Sequence, residues 1–238
     1  MEQVAPTSQV DLAALRRLWF PWAMTYLGLV FASSVTAQLG YETLATVLKP
    51  LPLLLLLVEV GRPLLQGERS RLRVGVWWAL LFSVIGDMVI IWNFLGGIGA
   101  FFLAHLAYLV AVGFERTVSV RQALCYIPAL ILWGIMFQLL TPEVNPALYW
   151  PVVAYLSVIC LMYGRMISRA FATHRHVWAV SMFVGATLFV LSDSLIAINK
   201  WVTPVPYERL AILLSYYIGQ WFISRGVPPP EKDLELNR

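Results

Sequence analysis

The chain has 238 residues, of which 60% are hydrophobic and 13% charged, and its formal net charge is +4. Soluble domains have about 25% charged and about 45 to 50% apolar residues, so this chain lacks the polar surface that a water-soluble protein needs. The composition therefore excludes a soluble domain and indicates an integral membrane protein. It also argues against nucleic-acid binding, because the arginines stand in short clusters between apolar runs, where they set helix orientation.

Eight apolar runs are long enough to cross a bilayer, which takes about 20 apolar residues per helix, with about 17 acceptable. They cover residues 18–36, 43–60, 74–92, 97–113, 121–140, 146–164, 177–198 and 207–224. No basic region or small-residue cleavage site marks the first run as a signal peptide, so we expect it to be retained. The sequence thus predicts an all-α polytopic membrane protein, with an eight-helix domain at 18–224 between tails at 1–17 and 225–238. We expect Cys125 and Cys160 to be unpaired core residues.

The basic residues indicate how the predicted spans are oriented. Fourteen of the 17 lysines and arginines lie in the two tails or in the connections that follow even-numbered spans. By the positive-inside rule these segments face the cytoplasm, which requires an even number of spans and places both termini there. We therefore expect a multi-pass protein of the cell membrane, which in a bacterium is the inner membrane.

Two segments of the chain resemble each other. Val84 to Asn93 reads VIGDMVIIWN and Val190 to Asn199 reads VLSDSLIAIN, so that Val, Asp, Ile and Asn coincide. Each segment ends a span that runs outward, and the two spans are four apart. A parallel duplication of two four-helix halves would produce this pattern, since repeats in membrane proteins are often weak. Chance similarity among apolar residues is the alternative.

Few ionisable residues lie well inside the predicted spans: Lys49, Asp87, His105 and Asp193. A charge in the bilayer costs about 2.5 to 3.5 kcal/mol on insertion scales, so such residues normally face the protein interior or a wet cavity. With a rise of about 1.5 Å per residue, all four lie about 8 to 12 Å below the outer ends of their spans. Unrelated core residues would scatter in depth, so the shared depth favours a single polar site.

Further polar side chains extend this predicted site. Tyr108 shares a helix face with His105, and the small residues Gly185 and Ala186 leave room below Asp193 for a neighbouring helix or a lipid tail. A polar layer above an apolar wall suits an amphiphile. The supporting candidates are Tyr108, Ser192, Asn199, Tyr216, Tyr217 and Gln220. The structural alternatives are that the aspartates only pair with the lysine, that the histidine is a hydrogen-bonded core residue, and that the tyrosines only pack.

Several familiar chemistries have no motif in this chain. A G-x-S-x-G elbow, a P-loop and a complete dinucleotide fingerprint are all absent from the sequence. A zinc hydrolase needs three protein ligands, typically including histidines, whereas the predicted spans hold one histidine. A serine nucleophile at Ser192 or Ser194 has no motif behind it. We therefore expect neither a metal nor a cofactor.

Five short motifs lie between the second and the eighth predicted spans. They are Lys49-Pro50, Gly86-Asp87, FFLAHLAY ending at Tyr108, GATLFVLSDSLIA from Gly185, and Tyr216-Tyr217 with Gln220. Their order and spacing resemble those of the YhhN-like lysoplasmalogenase family. The resemblance implies an eight-helix membrane enzyme whose substrate is a lysophospholipid in the bilayer. Such an enzyme hydrolyses the vinyl ether bond of lysoplasmalogen to a fatty aldehyde and glycerophosphoethanolamine or glycerophosphocholine.

The predicted site suits this implied reaction. Protonation of the β-carbon of a vinyl ether leaves an oxocarbenium ion, and water then gives a hemiacetal that collapses to aldehyde and alcohol. These steps need an acid and a carboxylate, the tasks that paired carboxylates perform in glycoside hydrolysis. Our hypothesis is that Asp87 and Asp193 divide the two roles. Lys49 would keep one carboxylate ionised or face the lipid phosphate, while His105 and Tyr108 would orient water or donor groups.

Two other functions remain open at this point. Buried Asp, His and Lys also build ion pathways, so a membrane transporter or proton-coupled carrier is the alternative. A non-catalytic lipid-binding or structural membrane protein is the third interpretation. Product formation in detergent, where no gradient exists, distinguishes the enzyme from both. The oligomeric state does not follow from the sequence.

Overall fold

The computed structural model describes residues 22–113, 119–172 and 177–228. Its α-helices are α1 (Trp22–Gln38), α2 (Glu42–Leu48), α3 (Leu51–Leu65), α4 (Arg71–Val89), α5 (Phe94–Val112), α6 (Val120–Leu124), α7 (Ile127–Leu140), α8 (Tyr149–Ala172), α9 (Val177–Trp201) and α10 (Glu208–Arg225). A 3₁₀ turn at Pro146–Leu148 leads into α8. These ranges contain no strand, which confirms the all-α prediction. The predicted N-terminal tail lies outside them.

Two spans are each built from two helices that meet near prolines. α2 and α3 join at Lys49 and Pro50, with Pro52 in the first turn of α3. α6 and α7 join at Cys125 and Tyr126, with proline again in the first turn of the second helix. Proline lacks an N–H group but fits the first turn of a helix, where that group has no intrahelical partner. The break in α2–α3 therefore falls beside the lysine of the predicted site.

Six helical segments of the described chain are long and apolar enough to cross a membrane. They are Glu42–Leu65, Arg71–Val89, Phe94–Val112, Val120–Leu140, Pro146–Ala172 and Val177–Trp201. Of the other two predicted spans, α1 is described for 17 residues and α10 carries three charged residues, Glu208, Arg209 and Arg225. Six spans support a multi-pass membrane protein, and the count of eight stays a prediction.

One predicted boundary differs clearly from the observed helix. The sixth predicted span stops at residue 164, before an arginine, whereas α8 continues to Ala172. Arg165 is 5% exposed, and its Nε donates a hydrogen bond of 2.7 Å to the backbone oxygen of Gly113 at the end of α5. This arginine satisfies a backbone oxygen at the C-terminus of α5, level with the end of the fourth predicted span at residue 113.

Close packing of α9 against α10 positions one half of the site. A Cβ atom added to Gly185 would lie 2.5 Å from the backbone oxygen of Gly219, and one added to Gly219 would lie 2.9 Å from that of Gly185. Small residues at both positions let the two backbones approach. Of the two neighbours predicted for Gly185, a helix or a lipid tail, the structure shows the helix. Tyr216 and Gln220 of α10 consequently face the bundle interior, both buried.

Cys160 is a free, buried thiol, as predicted. Cys125 is half-buried at the joint between α6 and α7, and Cys160 is buried on α8.

Candidate active site

Asp193 of α9 is the centre of a first hydrogen-bonded group. The hydroxyl of Tyr155 on α8 donates a hydrogen bond of 2.5 Å to Asp193 Oδ2. His105 Nε2 on α5 lies 3.2 Å from the same oxygen and 3.0 Å from the Tyr155 hydroxyl. Side chains from three helices therefore converge on one carboxylate oxygen. The Asp193 side chain is 12% exposed, so it remains accessible from a cavity.

His105 is fully buried and makes its polar contacts through one ring nitrogen. Among the described residues its Nδ1 has no hydrogen-bond partner, so all of its polar contacts are made through Nε2. Nε2 is thus the ring nitrogen that contacts both Asp193 Oδ2 and the Tyr155 hydroxyl.

Asp87 of α4 is the centre of a second group and is 2% exposed. The hydroxyl of Tyr216 on α10 donates a hydrogen bond of 2.9 Å to Asp87 Oδ2. Lys49 Nζ, at the joint between α2 and α3, lies 3.5 Å from Asp87 Oδ1. Tyr217 holds the joint in place, because its hydroxyl donates a hydrogen bond of 2.7 Å to the backbone oxygen of Lys49. The carboxylate thus has a cation on one oxygen and a hydroxyl donor on the other.

Aromatic rings lie between the two groups. The centroid of the Phe189 ring is 4.9 Å from that of His105 and 5.3 Å from that of Tyr216. Phe189 belongs to α9, one turn before Asp193, so it separates the histidine of the first group from the tyrosine of the second. The predicted single polar site is consequently divided into two neighbouring networks, each with one aspartate.

Two cavities adjoin these networks. The first, of about 70 Å³, is lined by Asp193 and Tyr155 and otherwise almost entirely by apolar side chains of α5, α7, α8 and α9. The second, of about 520 Å³, is lined by Lys49 and by charged side chains near the ends of α9 and α10. Ile90 and Ile196 line both cavities. An apolar space and a polar space therefore meet at a boundary of two isoleucines.

The same two isoleucines occupy equivalent positions of the repeated segments. Ile90 follows Asp87 by three residues and Ile196 follows Asp193 by three. Residues three apart share a face of a helix, so each isoleucine lies about one turn above its aspartate. The two similar segments thus coincide with the geometry of the site: each supplies one carboxylate and one side chain of the boundary.

Comparisons with known proteins show the family to which the chain belongs. The family model described as YhhN family matches residues 44–227. The chain belongs to the YhhN family. Lysoplasmalogenase TMEM86A of Homo sapiens is 31% identical to this YhhN protein over 207 residues, covering 82% of each chain. Lysoplasmalogenase TMEM86A of Bos taurus is 33% identical over 193 residues, covering 77% of this chain and 75% of the relative.

Other relatives of this YhhN protein are matched over a shorter stretch. Lysoplasmalogenase TMEM86B of Sus scrofa is 35% identical over 156 residues, and the match spans 65% of this chain and 63% of that relative's length. No solved structure matches the chain. The family resemblance predicted from the motifs is confirmed.

Two of the predicted residues of this YhhN protein form a network apart from both aspartates. The hydroxyl of Tyr108 donates a hydrogen bond to Gln220 Oε1, and Gln220 Nε2 donates one of 3.1 Å to Ser83 Oγ. All three side chains are fully buried. These bonds tie α4, α5 and α10 together below the candidate site, and a supporting role of Tyr108 and Gln220 in the reaction stays a prediction.

Ser192 and Asn199 of this YhhN protein make bonds that organise the α9–α10 pair. Ser192 Oγ donates a hydrogen bond of 3.0 Å to the backbone oxygen of Ile212. Asn199 Oδ1 accepts one of 2.9 Å from the backbone N–H of Val205, in the connection that leads to α10. Ser192 is turned away from Asp193, because consecutive residues of a helix point about 100° apart. Asn199 also lines the polar cavity.

Tyr155 was missed by the sequence analysis. It is uncharged, it lies in an ordinary apolar run, and none of the five motifs contains it. Its depth is the one signal that could have revealed it. Tyr155 lies nine residues after the start of its predicted span at residue 146, about 13 Å below the outer end, close to the depth estimated for His105.

Proposed function

We propose that this protein is a lysoplasmalogenase, which hydrolyses the vinyl ether bond of lysoplasmalogen to a fatty aldehyde and glycerophosphoethanolamine or glycerophosphocholine. The observation that carries the proposal is Asp193, held by Tyr155 and His105 at the wall of an apolar cavity. A carboxyl group placed beside a lipid-like space suits acid chemistry on an apolar chain. The relatives named lysoplasmalogenase support this choice of substrate.

The two cavities suit the two ends of this substrate. The first carbons of the alkenyl chain enter the apolar cavity, since about 70 Å³ is too small for the whole chain, and the glycerophospho headgroup occupies the polar one. The vinyl ether then lies at the boundary formed by Ile90 and Ile196, about one turn above Asp87 and Asp193. Binding must part the two isoleucines.

The position of each carboxylate suggests its role. The β-carbon belongs to the alkenyl chain, on the side of the cavity that Asp193 lines, so Asp193 is the acid that protonates it. Asp87, which lies 3.5 Å from Lys49 Nζ, stabilises the oxocarbenium ion. Water attacks the α-carbon and gives a proton to Asp87, and the hemiacetal collapses to aldehyde and glycerol hydroxyl. Asp87 then releases its proton to solvent and Asp193 takes one up, so both aspartates return to their starting forms and the reaction consumes one water in total.

The neighbouring groups position these two acids. Tyr155 and His105 fix the orientation of the Asp193 carboxyl through Oδ2. Tyr216 does the same for the Asp87 carboxyl through Asp87 Oδ2. Neither step assigned to the aspartates needs a metal.

We also propose that the chain crosses the membrane eight times. α10 carries its charged residues at its two ends and none between residues 210 and 224, and it packs along α9 and α1, as a spanning helix would. With α1 it completes eight spans, both termini are cytoplasmic, and the protein lies in a bacterial inner membrane. Pairing of α4 with α5 and of α9 with α10 supports a parallel duplication, because the repeat makes these pairs equivalent. Fusion of a periplasmic reporter to Arg238 should leave the reporter inactive; an active reporter would reject this orientation.

Aldehyde release in detergent tests the proposed activity. Purified protein is incubated with lysoplasmalogen and, separately, with the matched 1-acyl lysolipid. The wild type should release aldehyde from the first and leave the ester intact. Asp193→Asn and Asp87→Asn should each lose turnover by about 10² to 10⁴-fold, the usual contribution of an acid or base. Glu59→Gln, which alters a carboxylate paired with Arg225 outside the site, serves as the control. Absence of aldehyde from the wild type, as a carrier would give, rejects the proposal.

A further inference from the structure

The polar cavity carries charges of both signs. Its walls include the acidic Glu42 and Glu208 and the basic Lys49, Lys200 and Arg209. Such a mixture is unusual beside an apolar cavity in a membrane protein, where charges are costly unless they pair or bind a ligand. The pairing of these five side chains therefore shows which of them remain for a ligand.

Three of the five are engaged with other protein groups. Arg209 Nη1 lies 2.6 Å from Glu42 Oε1 and donates a hydrogen bond of 2.9 Å to the backbone oxygen of Ala37. Lys49 forms the ion pair with Asp87. These contacts hold α1, α2, α4 and α10 around the cavity and leave Lys200 and Glu208 as the ionic groups to be explained.

Lys200 lies beside the apolar cavity as well as in the polar one. Its Nζ is 4.0 Å from the centroid of the Phe94 ring, and Phe94 lines the apolar cavity. The contact is a cation–π interaction, worth about 0.5 to 1 kcal/mol at an exposed site, so it leaves the ammonium group free to bind an anion. The ammonium consequently stands where the polar cavity adjoins the predicted chain-binding space.

Glu208 offers the opposite charge. It is half-buried at the start of α10, and within the described ranges its carboxylate takes part in no hydrogen bond or ion pair. An acidic residue in the first turn also stabilises a helix by interacting with its dipole. Helix stabilisation does not depend on a ligand. An experiment can therefore separate this structural role of Glu208 from a role in ligand binding.

We propose that the polar cavity binds a zwitterionic glycerophospho headgroup, with Lys200 contacting the phosphate and Glu208 contacting the amine. The inference rests on the proposed function and adds a basis for headgroup selection: phosphoethanolamine and phosphocholine groups are preferred to a phosphate alone. Lys200 contacts Phe94, which lines the apolar cavity, whereas Glu208 lines only the polar one, so the phosphate, which is nearer the chain, is assigned to Lys200.

Binding of 1-acyl lysolipids tests the headgroup contacts without any turnover. Lysophosphatidylethanolamine, lysophosphatidic acid and monoacylglycerol of equal chain length are compared by Kd in detergent. Glu208→Gln should raise the Kd for lysophosphatidylethanolamine about tenfold, since one charged hydrogen bond is lost. The Kd values for the other two ligands should not change. Lys200→Gln should raise the Kd for both phosphate-containing ligands about tenfold and leave the Kd for monoacylglycerol unchanged. Glu143→Gln, an exposed carboxylate in the α7–α8 connection, should change none.

The outcomes separate this inference from the proposed function. If Glu208→Gln weakens all three ligands equally, or lowers Tm without changing relative affinities, Glu208 is structural and the inference fails. If neither variant discriminates among the ligands, the inference fails too. A wild type that shows the predicted affinity pattern but releases no aldehyde from lysoplasmalogen supports the headgroup site and rejects the proposed activity.

Discussion

The hydroxyl of Tyr155 donates its hydrogen bond to the same oxygen of Asp193 that lies 3.2 Å from His105 Nε2. The two donors come from α8 and α5, so the orientation of the carboxyl on α9 depends on the packing of three helices. Tyr155 belongs to the wall of the apolar cavity, at the point where the aspartate is exposed. The relationship makes Tyr155 a positioning residue for the proposed acid.

Replacing Tyr155 by Phe should lower kcat about 10²-fold and leave KM within a factor of about two, because small errors in the geometry of a reacting group are costly whereas the ring still packs. The control is Tyr163→Phe on the same helix, whose hydroxyl accepts a bond of 3.4 Å from Thr187. Steady-state kinetics with lysoplasmalogen measure both constants. A rise in KM with unchanged kcat would show that Tyr155 contacts the lipid and does not position the acid.

Replacing Lys49 by Met should lower the free energy of unfolding by about 3 kcal/mol, because it leaves Asp87 buried without its cation. The double variant Lys49→Met/Asp87→Asn should recover most of that stability while remaining inactive, since the buried charge is gone together with the proposed base. Thermal unfolding in detergent measures stability and aldehyde release measures activity. Equal instability of the single and double variants would contradict the charge argument.

Replacing Gly185 by Ala should separate α9 from α10, because the new Cβ would lie 2.5 Å from the Gly219 oxygen and from the Ile223 nitrogen. Overpacking of this kind costs about 1 to 3 kcal/mol. Tyr216 would move with α10 relative to α9, so turnover should fall as well. Gly134→Ala on α7, where an added Cβ meets nothing within 4 Å, should leave both stability and turnover unchanged. Wild-type stability for Gly185→Ala would contradict the observed helix contact.

Replacing Ile196 by Trp should close the boundary between the two cavities and lower kcat/KM for lysoplasmalogen about 10²-fold, because the vinyl ether is displaced from both acids. Leu191→Trp is the matched control, since that side chain lies on the same helix and is 48% exposed. Both variants should unfold at the wild-type temperature. Full activity of Ile196→Trp would place the scissile bond elsewhere.

The ionisable residues of the site could be found from the sequence because a charge in an apolar run is conspicuous. Their pairing could not: Lys49 bonds with Asp87, and His105 with Asp193, because α2–α3 lies near α4 and α5 lies near α9. Which helices lie beside each other depends on the tertiary fold and cannot be read from the local sequence. The same limit explains Tyr155, an uncharged side chain in an apolar helix whose importance depends on the neighbour it meets.

The ends of helices, and the roles of the charged residues near them, were also hard to predict from the sequence. The sixth predicted span stops at residue 164, whereas α8 continues to Ala172 and Arg165 is buried against the end of α5. The sequence analysis gave no role to Lys200 or Glu208, although both line the polar cavity. A charged residue near a helix end can face water, a helix terminus or a ligand, and only packing distinguishes these cases.

Hydrolysis of lysoplasmalogen in D₂O tests the central claim most directly, because protonation of the vinyl ether adds a hydrogen from solvent to carbon. Mass spectrometry of the aldehyde, trapped as it forms, should show one deuterium on the carbon next to the carbonyl with the wild type. Asp193→Asn should yield almost no aldehyde in the same time. Aldehyde without deuterium, or aldehyde formed by Asp193→Asn at the wild-type rate, would contradict the account.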